Sequence, residues 1–309
     1  MEQRKRYNEF SDFLKGIFPF KVQKISIDAG FTCPNRDGTK GSGGCTYCNN
    51  QTFSPLYCQV KEPVPIQLTE GISFFSRKYP EMRYLAYFQA YTNTYGELQE
   101  LKKKYEEALS FPGVEGIIIG TRPDCMPDEL LDYFEAISRE KFVMIEYGVE
   151  STLDGTLQRI NRGHSMADSE AAISRTADRG IYTGVHMILG LPGESREEIL
   201  QHAEKLSLLP IHTIKLHQLQ LIRHTRMARE YADNPEQFRL YSVDEYVDLA
   251  IDFIERLNPS MVIERFISQS PKELLIAPDW GIKNYEFTAK IKKRLIERDT
   301  YQGRLFTDH

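Results

Sequence analysis

Short, nearly unbroken apolar runs alternate with amphipathic stretches along most of this chain. The runs are 22–28, 84–90, 114–120, 142–149, 185–189, 213–221 and, closing the series, 261–267. Apolar residues at successive positions, not at every second one, describe strands buried on both faces. That is the situation in a parallel sheet with helices outside it. Between the runs, helical spacing recurs at Leu98, Leu101, Tyr105 and Ala108, at Leu130, Leu131, Phe134 and Ile137, at Ile199, Ala203 and Leu206, and at Tyr246, Leu249, Ala250 and Phe253. Further helices are expected over about 66–78 and over 153–179, the latter interrupted near Gly163 and His164. A short aromatic-rich helix lies within 7–20, and a basic amphipathic helix ends the chain. Six or seven βα units without linker, low-complexity tract or short repeat predict an α/β fold, a partial (β/α)6-type TIM barrel. Its expected divisions are an N-terminal helical extension over 1–21, the barrel over 22–270, and a C-terminal extension over 271–309 packed on it.

Charge and cysteine usage narrow the classes. The net charge of −5 gives no global sign of nucleic-acid binding. Residues 1–24 and 281–309 are each about +3, leaving about −11 between them, so basic ends such as Arg4, Lys5, Arg6, Lys290, Lys292, Lys293 and Arg294 could flank a phosphate-rich ligand or simply form solvated helices. No apolar segment follows the N-terminal basic run, and none approaches a membrane span. Five cysteines, an odd number, do not form a disulfide framework and fit a reducing, cytoplasmic setting.

Three of those cysteines, Cys33, Cys45 and Cys48, follow the first strand with spacing C-x11-C-x2-C in a loop rich in Gly and polar residues. Thiolates are soft ligands, and a Cys-x-x-Cys pair can place two sulfurs on one metal centre. A zinc site usually takes four protein ligands, and Cys58 could be the fourth. An iron–sulfur cluster with one open iron needs only three.

In a βα barrel the site is built where strands end. Those positions carry Gln89, Tyr91 and Thr92 after the second strand, then Arg122, Asp124 and Cys125 after the third, and Glu150 after the fourth. Gly190, Pro192 and Glu194 follow the fifth. His217 and Gln220 lie on or after the sixth, and Ser268 and Ser270 follow the seventh. Polar content recurring at one end of every strand is what a central pocket for a polar cofactor requires. His186 and His217 also read as core histidines, Cys125 as a buried small hydrophobe, and Tyr91 as ordinary aromatic packing. Trp280 could cap the barrel or stack on substrate.

These stretches, in order, are similar to the radical S-adenosylmethionine (SAM) superfamily, and more closely to its YtqA/YhcC-like branch, related to the Elongator catalytic subunit. The segments are 32–39, 43–48, 87–94, 121–124, 160–164, 190–192 and 274–278. The resemblance implies that Cys33, Cys45 and Cys48 bind three irons of a [4Fe-4S] cluster whose fourth iron takes SAM. Reductive cleavage of SAM would give a 5′-deoxyadenosyl radical that takes a hydrogen atom from substrate. It further implies SAM contacts from Gln89 and Thr92 to the amino group, from Glu150 to the ribose, from Arg162 to the carboxylate, and from Gly190 and Pro192 near the adenine. Tyr91, Arg122, Asp124, Cys125, His217 and Gln220 are the implied substrate contacts. Reduced flavodoxin or ferredoxin is the implied electron donor. The implied substrate is tRNA, with a wobble-uridine carboxymethylaminomethyl group processed to aminomethyl. Two departures stand out: Glu150 where relatives carry Gln, and residues 264–270, Glu-Arg-Phe-Ile-Ser-Gln-Ser, where relatives carry Arg-Ile/Leu-Thr-Gly-Asp. A small-metabolite or protein substrate, and a zinc-stabilised nucleic-acid-binding protein, are the competing readings.

Overall fold

The computed structural model describes residues 5–52, 55, 57–76 and 81–307. Seven strands form one parallel sheet in the order β1 (Val22–Ile27), β2 (Arg83–Phe88), β3 (Val114–Thr121), β4 (Phe142–Glu150), β5 (Tyr182–Leu189), β6 (Thr213–Gln218) and β8 (Val262–Arg265). Helices cover the outside: α2 (Val64–Ser76), α3 (Leu98–Leu109), α4 (Asp128–Ser138), α6 (Met166–Ala177), α7 (Arg196–Ser207) and α9 (Val243–Ile254). The sheet curls as the expected partial barrel does, with seven strands in it. Sequence reading ran the sixth strand on to Leu221, but the chain breaks after Gln218 and restarts as β7 (Leu221–Ile222). The expected helix over 153–179 splits into α5 (Asp154–Arg159) and α6. Lys78 and Arg4 lie outside the described residues.

Local sequence sets these elements. Ser165 with Asp168, Ser195 with Glu198 and Ser242 with Glu245 make capping boxes that start α6, α7 and α9, satisfying amide groups the first turn leaves open. Outward strand residues such as Phe88, Ile119, Ile145 and Leu189 pack against the helices in one fully buried layer.

The inner face is different at its two ends. Helix α1 (Phe10–Ile17) plugs the end where strands begin: Phe13 meets Tyr182 edge-on at 5.4 Å and Phe18 lies 5.6 Å from Phe142, the first residues of β5 and β4. The other end is a polar chamber. Beyond β8, β9 (Leu275–Ala277) pairs antiparallel with β7, and α10 (Asn284–Glu297) packs on α9. Trp280 neither caps the chamber nor faces it. Its ring stacks on Phe287 at 5.8 Å and its Nε1 donates to the Tyr241 carbonyl, fastening α10 to the outer wall.

The basic ends are absorbed by the protein itself. Lys5 pairs with Asp12, Arg6 with Asp299, Lys290 with Asp244, Lys292 with Glu9, Lys293 with Glu297 and Arg294 with Asp248. α10 is basic because α9 and its neighbours are acidic.

Candidate active site

The loop of Cys33, Cys45 and Cys48 closes over the open end of the barrel and is strapped to the turn after α5. Asn161 Nδ2 donates to the Gly44 carbonyl (2.8 Å), Thr46 N to the Ile160 carbonyl (2.9 Å), and the buried Asn35 amide to the carbonyls of Asn161 and Arg162. The glycines make these approaches possible. A Cβ on Gly44, at φ +78°, would lie 2.9 Å from Arg36 Nε, and one on Gly163, at φ +75°, would lie 2.9 Å from Asn35 Oδ1. Arg36, unassigned by sequence, donates to the Cys48 carbonyl at 2.9 Å.

All three cysteines line one cavity of about 160 Å³. Cys33 and Cys45 are buried and Cys48 is half-buried. Burial, then the neighbouring Cys45, pushes the Cys48 thiol up to about 11, opposed by Arg36. Arg162 brings Nη1 to 3.5 Å from Cys45 Sγ. Three thiolates around an iron–sulfur cluster leave it anionic, so two guanidinium groups beside them suit it. Among the described residues no three His, Cys, Asp or Glu side chains converge as ligands of one metal ion. A cubane differs, since each of its thiolates binds a separate iron. Cys58 stands apart, its thiol bonded to Gln67 Oε1 at 3.4 Å.

The remaining expected residues divide. Gln89, Tyr91, Thr92, Arg122, Glu150, Arg162, His217 and Gln220 line the cavity. Thr92 Oγ1 and Asn50 Nδ2 are buried there with no hydrogen-bond partner, which a polar ligand would supply. Glu150 ends β4 at φ +71°, its carboxyl pushed up by burial despite Arg162, whose Nη2 lies 3.9 Å away. Arg162 is not an exposed helix residue. Its guanidinium crosses Gly148 and donates to that carbonyl at 2.6 Å, where any side chain in place of glycine would collide with it.

Four expected contacts are not in the cavity wall. Gly190, at φ +94°, packs under the Tyr241 ring, and neither it nor the buried Pro192 lines the cavity. Asp124 is gripped by Arg122 through two 3.0 Å bonds and by Lys40. Burial would raise its carboxyl, but these cations hold it below the usual range. Cys125, beside it, is half-buried, and its thiol is pushed up to about 12 by burial, which keeps it in the thiol form.

Sequence reading missed the floor. Lys24 of β1 meets Glu146 of β4 (3.1 Å) and Glu264 of β8 (2.6 Å). Lys215 of β6 meets the same two carboxylates and donates to Tyr87 OH at 2.9 Å. Lys24 and Glu264 thereby join the two sheet edges, β1 and β8. His217 is buried and His186 half-buried, and both face the cavity, so they are not plain core residues; desolvation and then a nearby cation, Lys215 for His186 and Arg265 for His217, push both down and keep them neutral. The available signal was a charge in mid-strand where both faces are buried.

Family models match in line with this architecture. The radical SAM superfamily model covers residues 35–206 and the Radical_SAM C-terminal domain covers 211–297. The chain therefore belongs to the radical SAM superfamily, whose members use a [4Fe-4S] cluster and SAM. It is 34% identical to uncharacterized protein YtqA of Bacillus subtilis (strain 168) over 98% of this chain and 93% of that one. It is 36% identical to protein YhcC of Escherichia coli (strain K12) over 96% and 94%. Among solved structures, archaeal Methanocaldococcus infernus Elp3 with an N-terminal deletion matches in fold, with TM-score 0.69 at 14% identity, over 92% of this chain and 64% of that one.

Proposed function

We propose that Cys33, Cys45 and Cys48 hold the [4Fe-4S] cluster at the chamber mouth and that the enzyme modifies tRNA, converting a wobble-uridine carboxymethylaminomethyl group to aminomethyl. The observation that carries the cofactor assignment is the cysteine loop closing a polar chamber whose Thr92 and Asn50 donors lack partners. Cluster and SAM together supply hydrogen-atom abstraction from an unactivated carbon. The protein binds, orients and encloses. When SAM is bound, Thr92 and Gln89 would take its amino group, Glu150 its ribose and Arg162 its carboxylate, with Arg162 also beside the cluster thiolate of Cys45. Reduced flavodoxin or ferredoxin supplies the electron.

The tRNA reading is supported by the likeness to the YtqA/YhcC branch and by cations at the mouth. Lys61 and Arg223 are exposed beside the cysteine loop, with no carboxylate partner among the described residues, and the Arg223 carbonyl accepts from Asn49 (3.2 Å). Nucleosides of tRNA from a deletion strain, profiled by mass spectrometry, test it. Accumulated 5-carboxymethylaminomethyluridine is expected, and an unchanged wobble profile removes the tRNA substrate. For the cluster, Cys45→Ala should yield protein without iron and sulfide after anaerobic purification, while Cys58→Ala keeps both. Iron retained in the Cys45 variant would overturn the ligand set.

A further inference from the structure

The cations of the barrel lumen fall into a pattern with one exception. Lys24 and Lys215 share Glu146 and Glu264. Arg122 is forked on Asp124, and Arg162 lies among Glu150, the Gly148 carbonyl and Cys45. Arg36 rests on the Cys48 carbonyl beside the thiols. Arg265, at the end of β8, lines the same cavity and pairs with no carboxylate among the described residues. Its Nη2 lies 3.3 Å from His217 Nε2, and its Nε is buried without a hydrogen-bond partner. The groups facing it do not neutralise it. His217 and His186 are uncharged, Glu146 is committed to two lysines, and Glu150 lies beyond ion-pair distance. A cation desolvated in this way is costly unless something anionic completes it.

A guanidinium fork is suited to a planar two-oxygen anion. Depth decides which molecule brings it. Arg265 is in register with Lys215, a residue of the floor, whereas the cysteines lie on the loop beyond the far end of β1. An anion at Arg265 belongs to whatever enters deepest, below the cofactor.

We propose that Arg265 forms the subsite for a carboxylate carried by the substrate. The subsite rests on the radical SAM reading of the chamber and not on the identity of the larger substrate. Arg265, Ser268 and Ser270 follow one another along this wall of the cavity.

The test uses reconstituted holoenzyme under anaerobic conditions with SAM bound, and N-methylglycine as the probe carboxylate. At about tenfold excess over its Kd the probe should raise the melting temperature by about 2–4 °C. N-methylglycinamide, lacking the charge, should not. Arg265→Gln should abolish the shift, and Arg265→Lys should retain part of it. If Arg265→Gln misfolds, Arg265→Lys serves, with a reduced shift expected. An unchanged shift in Arg265→Gln or in Arg265→Lys overturns the proposal. So does a probe that stabilises the SAM-free enzyme but not the SAM-loaded one, because SAM's own carboxylate would then be the occupant. A positive probe result together with an unchanged wobble-uridine profile keeps the carboxylate subsite and removes only tRNA.

Discussion

The floor and the wall of the chamber treat charge in opposite ways. On the floor, two lysines and two glutamates close on one another, and Lys24 with Glu264 bridges the edges β1 and β8. Around the wall, Thr92 Oγ1, Asn50 Nδ2 and Arg265 Nε are buried with nothing to bond. Closed charges hold the half-barrel's shape, in effect standing in for the ladder that would join β1 to an eighth strand. Open donors mark where ligands go. The largest expected effect comes from opening the floor. Glu146→Gln keeps the side chain's shape but leaves Lys24 and Lys215 sharing Glu264 alone. Removing one partner of a buried network costs about 3–5 kcal/mol. Anaerobic denaturant unfolding should register that loss, and a cost below about 1 kcal/mol would mean that the floor is not structural.

Acid should loosen the same layer by a second route. Burial, then Lys215, holds His186 down at about 4 against 6.5 for the free group, although its Nε2 donates to the Glu146 carboxylate at 3.0 Å. Between those values the unfolded chain binds a proton that the folded one refuses. The contribution is therefore fully present above about pH 6.5 and is lost as pH falls towards 4. Its size is on the order of 2–3 kcal/mol. His164, also held at about 4 by burial, adds a term of the same sign. His186→Gln should flatten stability over that window relative to the parent protein, and an identical slope would show that His186 does not carry the effect.

These two cases also show what could be read from residues alone. The βα succession was legible because strands buried on both faces are apolar throughout. The cysteine loop was legible because three thiols at that spacing have few uses. Lys24, Glu146, Lys215 and Glu264 were not legible as a set. Each strand supplies only one of the four, and only closure of the sheet brings together positions that lie up to 240 residues apart. Gly190 and Asp124 sat at the correct ends of their strands, yet one packs under Tyr241 and the other is consumed by Arg122 and Lys40. The chain ends misled for a related reason: a count of basic residues does not record that acidic α9 lies beside basic α10.

That last contrast gives the smallest expected effect and separates charge from availability. Lys290 and Arg294 are already paired with Asp244 and Asp248, so phosphate would have to displace an internal partner, whereas Lys61 and Arg223 at the mouth have no such competitor among the described residues. Under the proposed tRNA function, Lys290→Gln and Arg294→Gln should change tRNA affinity by less than about twofold and leave its salt dependence intact. Each neutralised mouth cation that touches phosphate should instead lower the slope of log K against log salt by about 1. Fluorescence anisotropy with labelled tRNA across a potassium chloride series reads both. If the α10 variants lowered the slope while Arg223→Gln did not, the RNA would lie along the outer helices, away from the chamber. The modified base would then have to reach the cavity from a different side, and the mouth cations would lose their assigned role.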